Sequence, residues 1–472
     1  MNTEIKEDLH IFFFPFMAEG HTIPLINIAK LFASKQGIKV SIITTPLNAP
    51  KLSSKILGHK IEILTIKFNC SEAGLPDGCE HLDLVPPEIG LNFFLATHVL
   101  AHPLEQILHQ YRPNCLVSDT FFPWSTEVAA KYGVPRIVFS GTCFFSTCAS
   151  LCMRLYQPYK NVKSDSDPFV IPDFPGEIEL ITRKLPEFVY KDTGFSEFYR
   201  KVKDVEMKSY GVLVNSFYEL ESEYVDHLRN VLGVKAWHIG PVSLWGGSSG
   251  RGESFVNDNE ILEWLDSKKA NSVVYICFGS MTSFTNEQLL EIAHGIEESG
   301  QIFIWVVKKS EKKDEEDDEE WLPRGFEERM EGKGLLIRGW APQVSILEHE
   351  AVGGFVTHCR WNSTLEAISA GVKMVTWPVA AEQFYNEKLV TEVLRIGIPV
   401  GAKKWARKVG DSVKKEAITK AVRQLMVGDE AEEMKCRANK YADMARKAVE
   451  NGGSSHSDFN SFIDEFKSKK IG

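Results

Sequence analysis

Residues 340–383 read WAPQVSILEHEAVGGFVTHCRWNSTLEAISAGVKMVTWPVAAEQ. Two short apolar runs stand out, GFVTHC at 354–359 and MVTWP at 374–378. Both are apolar on either face and end at polar or turn-forming residues, as a strand buried between two helix layers does. Between them, THCRWNSTLEAI passes from a strand end into a helix. Strand, helix and strand in this order make a parallel pair joined by a right-handed crossover.

The same unit recurs upstream. Upstream lie VVYICFGS, IFIWVV and LLIRGW, and further back LHIFFFP, VSIITTP, IEILTI, CLVSD, RIVFS and VLVNS. The pattern restarts after WGGSSGRG (245–252), a Gly- and Ser-rich stretch without apolar periodicity. We therefore expect an α/β protein of two Rossmann-like, doubly wound domains facing a central cleft. The expected division is 1–245, a linker at 246–258, a second domain at 259–455 and a C-terminal helix at 456–472 packing back on the first domain. Such sheets bind ligands at the carboxyl ends of their strands. Neither half carries G-x-G-x-x-G or a P-loop, which disfavours dinucleotide and NTPase readings.

At 472 residues the chain is too long for one ordinary core. Its net charge of −10 and sequence pI of about 5.8 lack the basic bias of a nucleic-acid binder. The apolar run Leu9–Phe16 is far short of the roughly 20 residues of a membrane span. Glu4, Glu7 and Asp8 precede it, where a secretory signal is positive. The nine cysteines include no C-x-x-C pair, so buried free thiols in a reducing cytosol are expected. No His, Asp or Glu cluster shows metal-ligand spacing, so no metal is expected. The block KKSEKKDEEDDEE (308–320) reads as a solvated surface loop.

The 44-residue segment resembles the donor-binding signature of the plant UDP-dependent glycosyltransferases of family 1. Trp340, Pro342, Gln343, His349, Gly354, His358, Trp361, Asn362, Ser363, Glu366, Gly371, Trp377, Pro378 and Gln383 all stand in register. Gly20-His21 and Phe278-Gly279-Ser280 agree as well. DTFFPWSTEVAAKYGVPRIVF and WPVAAEQFYNEKLV resemble the branch acting on flavonoids and triterpenoids. The resemblance implies a two-domain fold of the GT-B type and an inverting transfer of a hexose, glucose first, from a UDP-sugar to a small lipophilic acceptor. It implies no further cofactor, and nothing requires more than a monomer.

The residue types fit that chemistry. Trp340, Ala341 and Gln343 suit a uracil ring, offering an aromatic face and an edge partner. Glu366 suits the ribose diol. The helix start at Trp361, Asn362 and Ser363 offers amides and a dipole to a diphosphate, with His358 and Ser280 adding donors. Glu382, Gln383 and Trp361 are candidates for the hexose hydroxyls. Each has a plainer alternative: a lone Trp is more often core, and a lone Asn or Ser more often a cap.

An acceptor hydroxyl must lose its proton as it attacks, which points to a histidine. His21 follows the first strand, and the resemblance implies it as the base. It likewise implies Asp119, at the end of CLVSD, as the carboxylate partner, and Thr142 as a sugar contact. Phe16, Phe121, Phe122, Trp124, Phe144 and Phe145 are candidates for an apolar acceptor pocket. The chain departs from the family pattern at Arg360, usually Gly. That change suggests a tolerated substitution, strain that impairs donor binding, or a cation for an anionic sugar such as glucuronate. Glu19 also departs and would raise the His21 pKa if close. Lys373 replaces a proline. Rival classes are a non-catalytic UDP-sugar binder and a nucleotide-dependent oxidoreductase. Retained His21 and Asp119 oppose the first, and the missing glycine fingerprint the second.

Overall fold

A computed structural model describes residues 9–245, 258–279, 282–307, 321–407 and 411–468. The chain divides into two compact units. The first comprises residues 1–155, 191–245 and 447–472, the second 156–190 and 246–446. The expected linker lies, but for its last residue, outside the described residues, as does the charge block at 308–320.

The first unit is built on seven strands: β1 (Leu9–Phe14), β2 (Ile38–Thr44), β3 (Ile61–Thr65), β4 (Cys115–Asp119), β5 (Arg136–Ser140), β6 (Gly211–Val214) and β7 (Ala236–His238). They lie in the order β3-β2-β1-β4-β5-β6-β7, every neighbouring pair parallel. All five residues of β4 and of β5 are buried, which is why these runs lack alternation. One face packs Phe13, Phe32, Val117 and Trp237, the other Phe12, Phe14, Leu116 and Phe122.

Helix Ser454–Ser468 belongs to this unit. Phe459, Phe462, Ile463 and Phe466 recur at helical spacing and are buried against Phe32 and Trp237. Asp458 accepts from Arg229 Nη2 at 2.7 Å and from the His238 amide at 2.9 Å. Each buried phenyl contributes about 1.5–3 kcal/mol of transfer free energy.

The second unit carries β8 (Val273–Cys277), β9 (Ile302–Val307), β10 (Gly334–Arg338), β11 (Val352–Thr357), β12 (Lys373–Thr376) and β13 (Gly397–Pro399). Their order is β10-β9-β8-β11-β12-β13, again all parallel. Residues 156–190, placed in 1–245 by the sequence reading, group with this unit. The physical ties are plain: Trp405 N donates to Arg183 O at 2.8 Å, Lys184 meets Glu387 at 3.3 Å, and Phe188 packs edge-on to Trp405. Lys373 has its own local role. Its buried ammonium donates to Leu425 O at 2.7 Å, a carbonyl at the end of helix Lys415–Val427, and to Ala431 O at 3.2 Å, where helix Ala431–Val449 begins.

In each sheet the chain runs outward from a first strand and returns to that strand's other side. The switch point falls between β1 and β4 in the first unit and between β8 and β11 in the second. Ligand sites of open α/β sheets form at such points. No described helix is long and apolar enough to cross a membrane. All nine cysteines are free thiols, and only Cys436 is exposed.

Candidate functional site

In the first unit, β1 feeds a short loop and then helix Glu19–Ala33, whose third residue is His21. β4 ends on Asp119. Both therefore stand at the switch point, although 98 positions separate them in sequence. The His21 Nδ1 lies 2.8 Å from Asp119 Oδ2. Asp119 is fully buried, and its other oxygen accepts from the Phe121 amide at 2.9 Å. The imidazole retains 14% side-chain exposure. A Cβ at Gly141 would stand 3.3 Å from the His21 Nδ1, so that glycine lets the ring lie against the loop after β5. With Nδ1–H donating to Asp119, Nε2 keeps the lone pair.

Glu19 sits two residues from His21 but turns its carboxylate to Lys51 and Lys55, the latter at 3.1 Å. Those ammonium groups hold it below the usual carboxylate range against the cost of burial. The expected direct influence of Glu19 on His21 thus gives way to Asp119 as the partner.

Of the six aromatic residues expected to line an acceptor pocket, five are core. Phe16, Phe122, Phe144 and Phe145 are fully buried and Trp124 nearly so; Phe16, Phe122 and Trp124 pack into the core on one face of the sheet, and Phe16 also lies 5.7 Å from the His21 ring. Phe122 stacks on Phe14 at 4.3 Å, and Phe145 packs on Tyr224 at 4.8 Å. Phe121 alone is partly exposed. It lies 5.4 Å from the His21 ring and 4.8 Å from Phe94, which also stacks on Phe16 at 4.9 Å. Phe94 and its neighbour Phe195, 5.4 Å away, were not singled out from sequence. Thr142 follows Gly141, and its buried hydroxyl has no protein partner among the described residues.

In the second unit, β11 leads through His358, Cys359 and Arg360 into helix Trp361–Ala370. The first amides of a helix have no intrahelical acceptor, so they suit an anion. His358 is buried and its Nδ1 has no partner among the described residues. Burial, with a smaller contribution from the Arg360 charge, pulls its pKa to about 3. It is a neutral donor or acceptor throughout the working range. Gly279, at φ +73°, follows β8; a Cβ there would meet the His358 Nε2 at 2.7 Å. Ser280 lies outside the described residues.

The strain expected at Arg360 falls on its neighbour. Arg360 takes an ordinary extended conformation (φ −63°, ψ 142°), whereas Cys359 adopts φ +63°. Cys359 is held there by its amide on Thr357 Oγ1 at 3.3 Å and by Asn386 Nδ2 donating to its carbonyl at 2.8 Å. Asn386 is a further residue the sequence did not reveal. Arg360 is half-buried and makes no ion pair among the described residues.

Around the helix, Gln343 Nε2 donates to Glu366 Oε2 at 2.7 Å and to Ser363 Oγ at 3.1 Å. Burial pushes the Glu366 carboxyl up to about 7, with the Gln343 amide pulling the other way. Trp340 is 63% exposed, and Ala341 beside it is buried. Trp361 is 1% exposed, which leaves its amide rather than its indole to face a ligand. Asn362 is half-buried in the first turn. Gln383 is buried with its Oε1 on the Val379 and Ala380 amides at 2.7 and 2.8 Å, so only its amide nitrogen can serve a sugar. Glu382 is half-buried and stands just before helix Gln383–Lys388, with no side-chain hydrogen bond to its first turn. Among the described residues, no group of three or more His, Cys, Asp or Glu could hold a metal ion.

A family model described as UDP-glucoronosyl and UDP-glucosyl transferase matches residues 195–400. The chain is 54% identical to UDP-glucose flavonoid 3-O-glucosyltransferase 7 of Fragaria ananassa, covering 100% of this chain and 99% of that protein. It is 53% identical to scopoletin glucosyltransferase of Nicotiana tabacum, over 97% and 98% of the two chains. Among solved structures, Glycyrrhiza uralensis UGT73P12 with glycyrrhetinic acid 3-O-monoglucuronide superposes with a TM-score of 0.87 at 39% identity, covering 98% of this chain and 96% of that one.

Proposed function

The chain belongs to the UDP-glycosyltransferase family, and from that premise we propose that it moves glucose from UDP-glucose to a hydroxyl of a small lipophilic plant metabolite, with His21 as the base. The observation that carries this reading is the 2.8 Å contact between His21 and the buried Asp119 at the first unit's switch point. The carboxylate orients the ring, leaves Nε2 free to take a proton, and stabilises the imidazolium that results. The acceptor oxygen attacks the anomeric carbon as its proton passes to Nε2. The anomeric carbon–oxygen bond to UDP breaks, and its electron pair stays on the diphosphate. One displacement inverts the anomeric centre.

The leaving diphosphate gains charge as the bond breaks. The amides of Trp361, Asn362 and Ser363, the helix dipole and neutral His358 are the groups that would stabilise it, with Ser280 a further donor. Trp340 and Gln343 would hold uracil, Glu366 the ribose diol, and Glu382 and Gln383 the hexose; Thr142 is the first unit's candidate sugar contact. These groups supply the charge stabilisation without a metal. The aromatic group Phe94–Phe121 beside His21 suits a flat, apolar acceptor, in keeping with relatives named for flavonoids and scopoletin. We place the enzyme in the cytosol on its free and mostly buried thiols; the proposed transfer needs no more than one chain.

Glucuronate is the second donor reading. A half-buried Arg360 with no ion-pair partner among the described residues stands at the helix start and offers a site for a sugar carboxylate. Incubation with UDP-glucose, UDP-glucuronate and a panel of flavonoid and triterpenoid acceptors, followed by product mass, tests the proposal. A glucoside accompanied by UDP release is expected. No product and no UDP release with any pair would refute it.

A further inference from the structure

Arg136 opens β5, is 3% exposed and was not singled out from sequence. It pairs in register with Leu116 of β4, and from there its guanidinium reaches the last two residues of that strand. Nε donates to Ser118 Oγ at 2.7 Å, and Nη2 donates to the Asp119 carbonyl at 2.8 Å. Nη1 donates to Thr126 Oγ1 at 2.9 Å and to Ser209 Oγ at 3.4 Å. None of these four acceptors is a carboxylate, an uncommon arrangement for a buried cation. Burial lowers the proton affinity of the group to about 10, and the Asp119 and Glu206 carboxylates act against that.

Glu206 lies on helix Ser196–Lys208 and is itself buried. It accepts from Thr120 Oγ1 at 2.6 Å and from Lys203 Nζ at 2.6 Å. Within the first unit, these contacts and those of its own helix link His21 to the following charged groups. Asp119 comes from β4, Arg136 from β5, Glu206 and Lys203 from helix Ser196–Lys208, and Glu19, held by Lys51 and Lys55, from His21's own helix. The buried set of Asp119, Glu206, Arg136 and Lys203 is neutral while His21 is neutral. Protonating His21 leaves one net positive charge in low dielectric.

We propose that Arg136 is a positioning residue for the base: its fork pins the end of β4 so that Asp119 meets His21, and its fixed charge opposes premature protonation of the imidazole. This rests on His21 being the base of the transfer. The geometry gives Arg136 two separable effects. The fork acts on distance and orientation, and the charge acts on the pH at which the base becomes available.

The test measures kcat/KM for transfer from UDP-glucose across pH for wild type, Arg136→Gln, Arg136→Lys and Glu206→Gln, with His21→Ala alongside. Removing the cation in Arg136→Gln moves the acidic limb up by about 0.5 pH unit or more. It also lowers kcat at least about tenfold, with KM for UDP-glucose within about twofold. Arg136→Lys keeps the charge but not the fork, so kcat falls while the limb stays in place. Glu206→Gln removes an anion and moves the limb the opposite way. An unshifted limb in folded Arg136→Gln, or a limb displaced upward in Glu206→Gln, overturns the proposal. If Arg136→Gln gives no cooperative melt, Glu206→Gln decides alone: a downward shift supports the proposal and no shift overturns it. Transfer retained by His21→Ala would instead remove the base assignment beneath it.

Discussion

Each unit brings one histidine to the switch point of a parallel sheet and backs it with a glycine, Gly141 for His21 and Gly279 for His358. Their surroundings are opposite. His21 keeps partial exposure and has a buried carboxylate at 2.8 Å. His358 is buried and has no carboxylate partner among the described residues, and burial, with a smaller push from the Arg360 cation, brings it to about 3. A base must pass between neutral and charged forms in each turnover, so it needs a countercharge that favours the charged form. A phosphate donor must offer the same hydrogen bond throughout, so it is best kept neutral. The two environments separate the moving proton from the fixed binding groups.

The sharpest way to break this contrast is to make the first site resemble the second. Asp119→Asn removes the countercharge and the tautomer control while leaving the ring in place. We expect kcat to fall by about 10²–10⁴-fold, with UDP affinity unchanged by calorimetry. Next in size is Gly279→Ala, which attacks the second site alone. Its Cβ would stand 2.7 Å from the His358 ring at a φ of +73°, so the imidazole must shift. KM for UDP-glucose should rise about tenfold or more, while the acidic limb of kcat/KM stays where it is.

Glu366 gives a pH test on the donor side. Only the ionised carboxylate accepts both ribose hydroxyls, and its pKa is pushed up to about 7. Affinity for UDP-glucose is therefore full above that value and lost as pH falls through it. About a tenfold weakening is expected between pH 8 and pH 6. Glu366→Gln should bind less tightly at pH 8 and show a flat profile. The smallest effect is expected from Arg360→Gly, about twofold to fivefold on donor KM, because a half-exposed charge is screened. A larger loss for UDP-glucuronate than for UDP-glucose would sharpen the sugar reading. Equal changes would remove it.

Much of this was legible in the sequence where function depends on chain-local order. The buried strands read as unbroken apolar runs, and His21, Asp119 and the 361–366 helix start all sit at predictable strand ends. What was not legible depends on partners distant in sequence. Arg136 reaches Ser209 across 73 positions, and Asn386 steadies Cys359 across 27. Neither contact has a periodicity or motif to announce it. The aromatic candidates failed for a related reason. Composition cannot tell which side of a sheet a phenyl faces, and most of those near the strand ends point into the core. Position 360 misled because the backbone strain sits one residue earlier, at Cys359. The boundary at 245 missed residues 156–190 because their ties are to Glu387 and Trp405, more than 200 positions on.

The most direct measurement of the central claim is His21→Ala, assayed for transfer from UDP-glucose by product mass and for UDP binding by calorimetry on the same preparation. The account predicts a loss of about 10²–10⁴-fold in kcat, with UDP affinity within about twofold of wild type. Transfer at the wild-type rate would contradict it.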